Sequence, residues 1–310
     1  MPANDMIKSV KNHPKSNETA KIQQDIAQRF SFDELDARGC YVNLNETVSD
    51  IQATHHYPKP LAKLLNEFAV SAVILRDSVK LNGSLTIQYR ASHDSAPVKM
   101  IIADCSSEYG VRAVCEFDAE SLPANSDDLD LITLGTEATL TITISPEEGK
   151  RYQGIVAIES PRLTDCLQDY FLRSEQLPSR FEIIATENSA VGLSIHAMPE
   201  QDSEIVATLK DDWQRLNFLL DTLTQDELQL LDSSTLLTRL FHEEQCRLHD
   251  AKAIQFACDC SRERSAGAIR SLGKAEIQSL MAEQEVVSID CHFCFQRYEF
   301  DQQALAALLT

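Results

Sequence analysis

The sequence is poor in glycine, with nine in 310 residues, and poor in positive charge, with 28 Lys and Arg against 48 Asp and Glu. So few glycines speak against a nucleotide-binding protein, whose phosphate loops are built from that residue. Across residues 26–205 there is indeed no Gly-rich phosphate loop, no nucleophile-elbow spacing and no helical His-x-x-x-His pair. The formal charge of −20 repels phosphate backbones and anionic lipid, which removes nucleic acid and membrane from the expected partners. Long apolar runs are missing too, so no segment is expected to span a bilayer. The first thirty residues mix Lys8, Lys11, Lys15 and Lys21 with Asp5, Glu18 and Asp25 and contain no apolar h-region. That pattern fits neither a secretory signal nor an acid-poor transit peptide. Residues 1–25 are expected to be a solvated leader, and the chain to reside in a reducing cytoplasm with its cysteines as thiols.

What is present is a set of nine cysteines. Cys40, Cys105, Cys115, Cys166 and Cys246 stand singly and are expected to be small buried apolar residues. The other four form two close pairs, Cys258-Asp-Cys260 and Cys291-His-Phe-Cys294. Four soft thiolates so grouped suit a tetrahedral, sulfur-only zinc site with one ion per chain. Each pair is also close enough to form a disulfide within itself. Of the three possible connectivities the spacing favours the local ones, Cys258–Cys260 and Cys291–Cys294, in small strained rings that are easily reduced. Arg262 and Arg264 are expected to favour the thiolate form of the first pair. A structural zinc knuckle that never changes state accounts for the spacing at least as well as a redox switch.

Catalytic zinc needs an open coordination position, which four thiolates close. His292 could replace a ligand, but between Cys291 and Cys294 it is expected to point outward. A thiol–disulfide oxidoreductase would place its Cys-x-x-Cys at a helix start in a βαβ setting, which is absent. The chain therefore reads as a binding protein and not an enzyme. A nucleic-acid-binding ribbon is disfavoured as well, because residues 258–310 carry five basic and eight acidic side chains.

The fold class expected is α+β: a mostly antiparallel sheet with packed helices over 26–205, a helical connector over 206–257 and a small zinc-binding domain over 258–310. Leu61, Leu64, Leu65, Phe68, Ala72 and Leu75 recur at helical spacing, which predicts an amphipathic helix over 61–80. His55 and His56, before two prolines and with no nearby ligand partner, are expected to be loop residues. Strands are predicted at 85–89, 98–103, 111–117, 140–144, 152–158 and 180–186, with another starting near Arg38–Leu44. Ser160-Pro161 is expected to cap a helix carrying Leu163, Cys166, Leu167, Tyr170 and Phe171. From Ile205 onward come leucine-faced short helices, with Thr224-Gln-Asp-Glu227 as a capping box. Such helices must dock on something. In the last segment a helix is predicted over 273–281, and 286–289 with 297–300 form a hairpin.

About fifty residues bury too little surface to fold reliably unaided, and in small zinc domains roughly 10–16 kcal/mol of metal binding doubles as folding energy. Oxidising the ligands removes that term and frees the leucine faces leaning on the segment. With this in view, the chain resembles the heat shock protein 33 family of redox-regulated holdase chaperones. The resemblance runs from about residue 30 onward. It rests on Cys258-Asp-Cys260-Ser-Arg-Glu-Arg264 and on Cys291-His-Phe-Cys294 with Tyr298-Glu-Phe-Asp301. His56-Tyr-Pro-Lys-Pro60, Gly83-Ser-Leu-Thr-Ile-Gln88, Tyr152-Gln-Gly-Ile-Val156, Ser174-Glu-Gln-Leu-Pro178 and Leu240-Phe-His-Glu-Glu244 add to it. The resemblance implies an inactive reduced form with zinc on Cys258, Cys260, Cys291 and Cys294. It further implies an oxidised, ATP-independent form that dimerises and binds unfolding client proteins. Residues 1–25 have no counterpart in that family, and 90–98 lacks the glycine-rich turn expected there.

Overall fold

The computed structural model describes residues 24–79, 82–122, 129–134, 138–198 and 206–309, and the expected leader lies outside them apart from Gln24 and Asp25. The chain begins β1 (Ile26–Phe32), β2 (Ala37–Leu44), α1 (Glu46–Thr54), α2 (Lys59–Ser78) and β3 (Gly83–Ala91). It continues β4 (Val98–Cys105), β5 (Gly110–Phe117), β6 (Ala138–Pro146), β7 (Tyr152–Val156), α3 (Leu163–Ser174), β8 (Ser179–Ala185) and β9 (Ala190–Ala197). The connector holds α4 (Val206–Leu220), α5 (Gln225–Leu230), α6 (Ser233–Phe241), β10 (Cys246–Leu248), β11 (Lys252–Ala253) and β12 (Gln255–Phe256). The last segment is α7 (Arg262–Ser271), α8 (Lys274–Glu283), β13 (Val286–Asp290), β14 (Arg297–Asp301) and α9 (Gln302–Ala307). No helix among the described residues is long and apolar enough to cross a membrane.

Two sheets make the body, one ordered β10–β1–β2–β9–β8 with β11 also on β1, the other β12–β5–β4–β3–β6–β7. Pairing is antiparallel throughout both, except that β12 runs parallel to β5. Helix α2 packs against strands of both sheets, and 15 of its residues are buried. The sequence pattern marks it as one-sided; the structure surrounds it, because its second half (Phe68 to Asp77) lies wholly inside the molecule. Close approach of helix to sheet is possible because position 192 is glycine: a Cβ there would come within 2.6 Å of Val70 Cγ1 and 2.7 Å of Ile74 Cδ1.

The first sheet is covered on both faces. Cys40, Val42 and Leu44 of β2 join the α2 core, while Tyr41 of β2 and Val191, Leu193 and Ile195 of β9 face the other way. That outer face is capped by Leu216, Leu220, Leu228, Leu236, Leu237, Leu240 and Phe241 of α4–α6. The connector helices therefore dock on the first sheet, and the capping box forms with both limbs made, Thr224 with Glu227. Beyond Phe241 the connector is no longer helical. Its last stretch is extended, adding β10 and β11 to β1 and β12 to β5.

Local signals misplace one helix start. Ser160 is not the cap; α3 begins at Leu163, and Ser160 Oγ instead accepts from the Arg162 N–H at 3.2 Å and donates to Asp165 at 2.8 Å. Strands β1 and β9 and helices α1 and α7 were not among the expected elements, although Val191, Leu193 and Ile195 of β9 do alternate along the chain. Asp25 closes the N-terminal end of the described fold: its carboxylate accepts from the Asn45 and Thr47 N–H groups at 2.6 Å each, satisfying donors at the start of α1.

Candidate metal centre

The last segment has its own small core of Ile269, Ile277, Val287, Phe300 and Leu305. Asp301 caps α9 through the Ala304 N–H at 2.8 Å, and Ser261 caps α7 through the Arg264 N–H at 3.2 Å. The β13–β14 hairpin registers Asp290 opposite Arg297, which places Cys291 and Cys294 in the turn at its end. That turn is closed by Cys291 N–H to Gln296 O at 3.0 Å and Phe295 N–H to Cys291 O at 2.8 Å, with Phe295 in the left-handed region at φ 55. Residues Cys258 and Cys260 arrive from β12, just ahead of α7.

The two runs meet. One sulfur from each of Cys258, Cys260, Cys291 and Cys294 lies within 4.8 Å of the others, and all nine cysteines are free thiols. Across the pairs, Cys258 and Cys291 are 3.6 Å apart and Cys260 and Cys294 3.4 Å. A tetrahedron of sulfurs each about 2.3 Å from a zinc ion has edges of about 3.8 Å, so the donor set and its dimensions fit zinc. Such an ion would offset half of the negative charge of four converging thiolates and tie the two runs together. His292 is exposed, as expected, and its side chain is not among the grouped ligand atoms.

The thiols of the quartet differ. Burial, reinforced by a hydrogen bond shared with Cys260, pushes Cys294 up to about 12. Burial also raises Cys258, against the pull of the Cys260 N–H and of Arg112. Cys291 feels burial too, but the N–H groups of Cys294 and Phe293 bring it below the ordinary thiol value. The guanidinium that reaches sulfur is Arg112 of β5, at 3.7 Å from Cys258 Sγ. Arg262 and Arg264 were expected in that role, and the structure places them elsewhere: Arg262 donates to Glu299 O and lies over the Phe300 ring at 4.5 Å, and Arg264 pairs with Asp259. Nor is His55 an idle loop residue; its Nε2 meets His292 O at 2.8 Å and its ring lies 4.2 Å from that of Phe295. Sequence reading could not find Arg112, because nothing in β5 relates it to residues some 146 positions away.

Of the single cysteines, Cys40, Cys105, Cys115 and Cys166 are buried and Cys246 is partly so. Burial raises all five thiols, Cys105 and Cys246 to about 12. They are packing residues, poorly reactive as nucleophiles.

Together these features define a class: an α+β body with an apolar sheet face under a helical cover, joined to a small segment built around a thiol quartet. A model of the Hsp33 protein family matches residues 25–301, and the chain belongs to that family. It is 43% identical over 287 residues to the 33 kDa chaperonin of Pseudomonas aeruginosa, covering 92% of this chain and 95% of that one. Against the 33 kDa chaperonin of Azotobacter vinelandii the identity is 41%, with the same coverage. The crystal structure of the Thermotoga maritima 33 kDa chaperonin (heat shock protein 33 homolog) superposes with a TM-score of 0.74 at 21% identity, over 93% of this chain and 98% of that one. That likeness bears out the mixed α+β fold.

Proposed function

We propose that this chain is a redox-regulated, ATP-independent holdase chaperone of the cytoplasm, inactive when reduced and carrying one zinc ion on Cys258, Cys260, Cys291 and Cys294. Oxidation of the four thiols releases the zinc and unfolds the C-terminal segment and connector. The apolar surface so bared binds unfolding client proteins, and the oxidised chains pair as homodimers. Membership of a chaperone family supports the holdase role, and the quartet's dimensions support the zinc.

The observation that carries the gating is continuity. The connector whose helices cover Phe30, Phe32, Tyr41, Val191, Leu193 and Ile195 runs through β10–β12 directly into Cys258. Loosening the cysteine segment therefore pulls on the cover of an apolar sheet face, and exposed apolar faces bind other exposed apolar surface. The disulfides proposed are Cys258–Cys260 and Cys291–Cys294. In the quartet the short sulfur approaches are across the pairs, so proximity in the folded state does not select these bonds. Chain length favours them: once the segment is open, joining Cys258 to Cys291 closes a loop roughly tenfold longer than either local ring, so the local partner is the one met most often.

Treatment with peroxide at mild heat is expected to release one zinc per chain, consume four of nine thiols and suppress aggregation of a denatured protein. Equal suppression by the reduced protein would remove the gating. Partner binding unchanged by peroxide would point to a constitutive zinc-ribbon module, and turnover of small disulfides by the reduced protein to an oxidoreductase.

A further inference from the structure

We infer that Arg112 and His55 are positioning residues that hold the cysteine segment on the body, and that Arg112 makes this hold depend on the state of Cys258. The inference deepens the redox reading above and rests on it.

The edge of β5 receives β12 in parallel, Gln255 opposite Gly110 and Phe256 opposite Val111, and the Ala257 N–H donates to Val111 O at 3.0 Å. A side chain at 110 would obstruct this, since a Cβ there would stand 2.7 Å from that of Ala257. The docked strand thus ends at the first zinc-site cysteine. Two residues along β5, Arg112 is anchored by Asp104 of β4, its Nε at 3.0 Å and its Nη2 at 2.7 Å from one carboxylate oxygen. Its remaining nitrogen, Nη1, reaches the Asp259 carboxylate and Cys258 Sγ, while the guanidinium lies 4.3 Å from the centroid of the Phe293 ring. One side chain therefore touches both cysteine runs. His55, at the end of α1, makes a second hold through His292 O and the Phe295 ring, with the Tyr57 ring 5.4 Å behind it.

A thiolate is an anionic acceptor for a guanidinium, and a disulfide sulfur is neutral and a poor one. When peroxide takes two electrons from two thiolates, with two protons it becomes two waters and the sulfur–sulfur bond forms. Arg112 then loses its sulfur partner, and β12, whose end is fixed there, loses its tether. The oxidation state of Cys258 is read by a residue of the body.

The test uses the full chain, reduced and zinc-loaded, and follows amide exchange at 255–257 and the rate of zinc transfer to a chromogenic chelator. Arg112→Ala, Asp259→Asn and His55→Ala are each expected to speed exchange at Ala257 and zinc transfer about tenfold while zinc stays at one per chain. Arg112→Lys, which keeps the charge and loses the fork, should fall between. Arg264→Ala removes the partner of Asp259 within the segment and should change neither rate. Asp259 is more than half exposed on the segment side, so its variant remains decisive if Arg112→Ala disturbs the body. Rates within twofold of the parent in both Asp259→Asn and His55→Ala would overturn the inference. Full oxidation opens β12 in every variant, so sensing is read before residues 262–309 lose their protection. At that stage peroxide should raise exchange at Ala257 in the parent and add little in Arg112→Ala, and an equal early rise in both would overturn the sensing role. The resting rates need no oxidant, so a parent that keeps its zinc in peroxide would sink the redox reading and not the hold itself.

Discussion

Stripping zinc from the fully reduced protein with a chelator is expected to unfold residues 262–309 and leave the α2-centred body intact. The segment's buried core is Ile269, Ile277, Val287, Phe300 and Leu305. At about 1.5–3 kcal/mol for each buried side chain, that core contributes roughly 7–15 kcal/mol before chain entropy is counted. A structural zinc contributes roughly 10–16 kcal/mol in small domains, so one ion equals the whole apolar core. Disulfides cannot substitute, because closing two rings of three and four residues contributes only about 3–4 kcal/mol in the chain-entropy picture. Hydrogen exchange at Ile277 and Leu305, in reductant with and without chelator, measures the loss. Phe300→Ala in the loaded protein is the comparison: it should cost about 3–5 kcal/mol, less than the ion, and leave the segment folded. If Ile277 and Leu305 keep their protection after the metal is gone, zinc binding is not the folding energy of this segment.

Phe241 stacks on Phe30 at 6.1 Å and meets Phe32 edge-on at 5.3 Å, so Phe241→Ala should cost about 3–5 kcal/mol and loosen α6. Aggregation suppression by that variant without oxidant is the expected readout, and none at all would separate the cover from client binding. His196 lies between Ser78 and Ser179, at 2.9 and 2.8 Å from their hydroxyls, and burial lowers it to about 4. The unfolded chain takes up this proton near pH 6.5 and the folded chain only near 4, so the stabilisation is whole above 6.5 and lost as the pH falls to 4. The loss amounts to about 3 kcal/mol, and urea titrations should show an acid slope flatter by that much in His196→Leu than in the parent. Among the nine thiols, a reagent applied to the reduced, zinc-stripped protein, whose body stays folded, should find four reacting fast and five slowly, and fast reaction of Cys105 or Cys115 would contradict their burial. Gly192→Ala should destabilise the body by about 1–3 kcal/mol through overpacking against Val70 and Ile74, measured by chemical denaturation.

The thiol quartet was legible in the chain because its donors come in close pairs; Cys258-x-Cys260 and Cys291-x-x-Cys294 declare a site whatever the fold between them. The leucine faces of 213–241 and the Thr224–Glu227 box were legible for the same reason, being local patterns of 3–4 residues. What surrounds them was not. Residue spacing marks α2 as amphipathic, but only the second sheet determines that its other side is buried too. In β9 the alternation of Val191, Leu193 and Ile195 with Gly192, Ser194 and His196 is legible, but only the packing decides that α4–α6 cover one face of its sheet and α2 the other. Arg112 and His55 reach the cysteine segment across some 146 and 237 positions of chain. Contacts at that separation are created by the packing of whole sheets and leave no periodic mark on either partner. Thus sequence alone determined which atoms would gather into the site, through covalent nearness; tertiary structure decided what that site leans on, because the positions of β5 and α1 depend on the packing of the entire body.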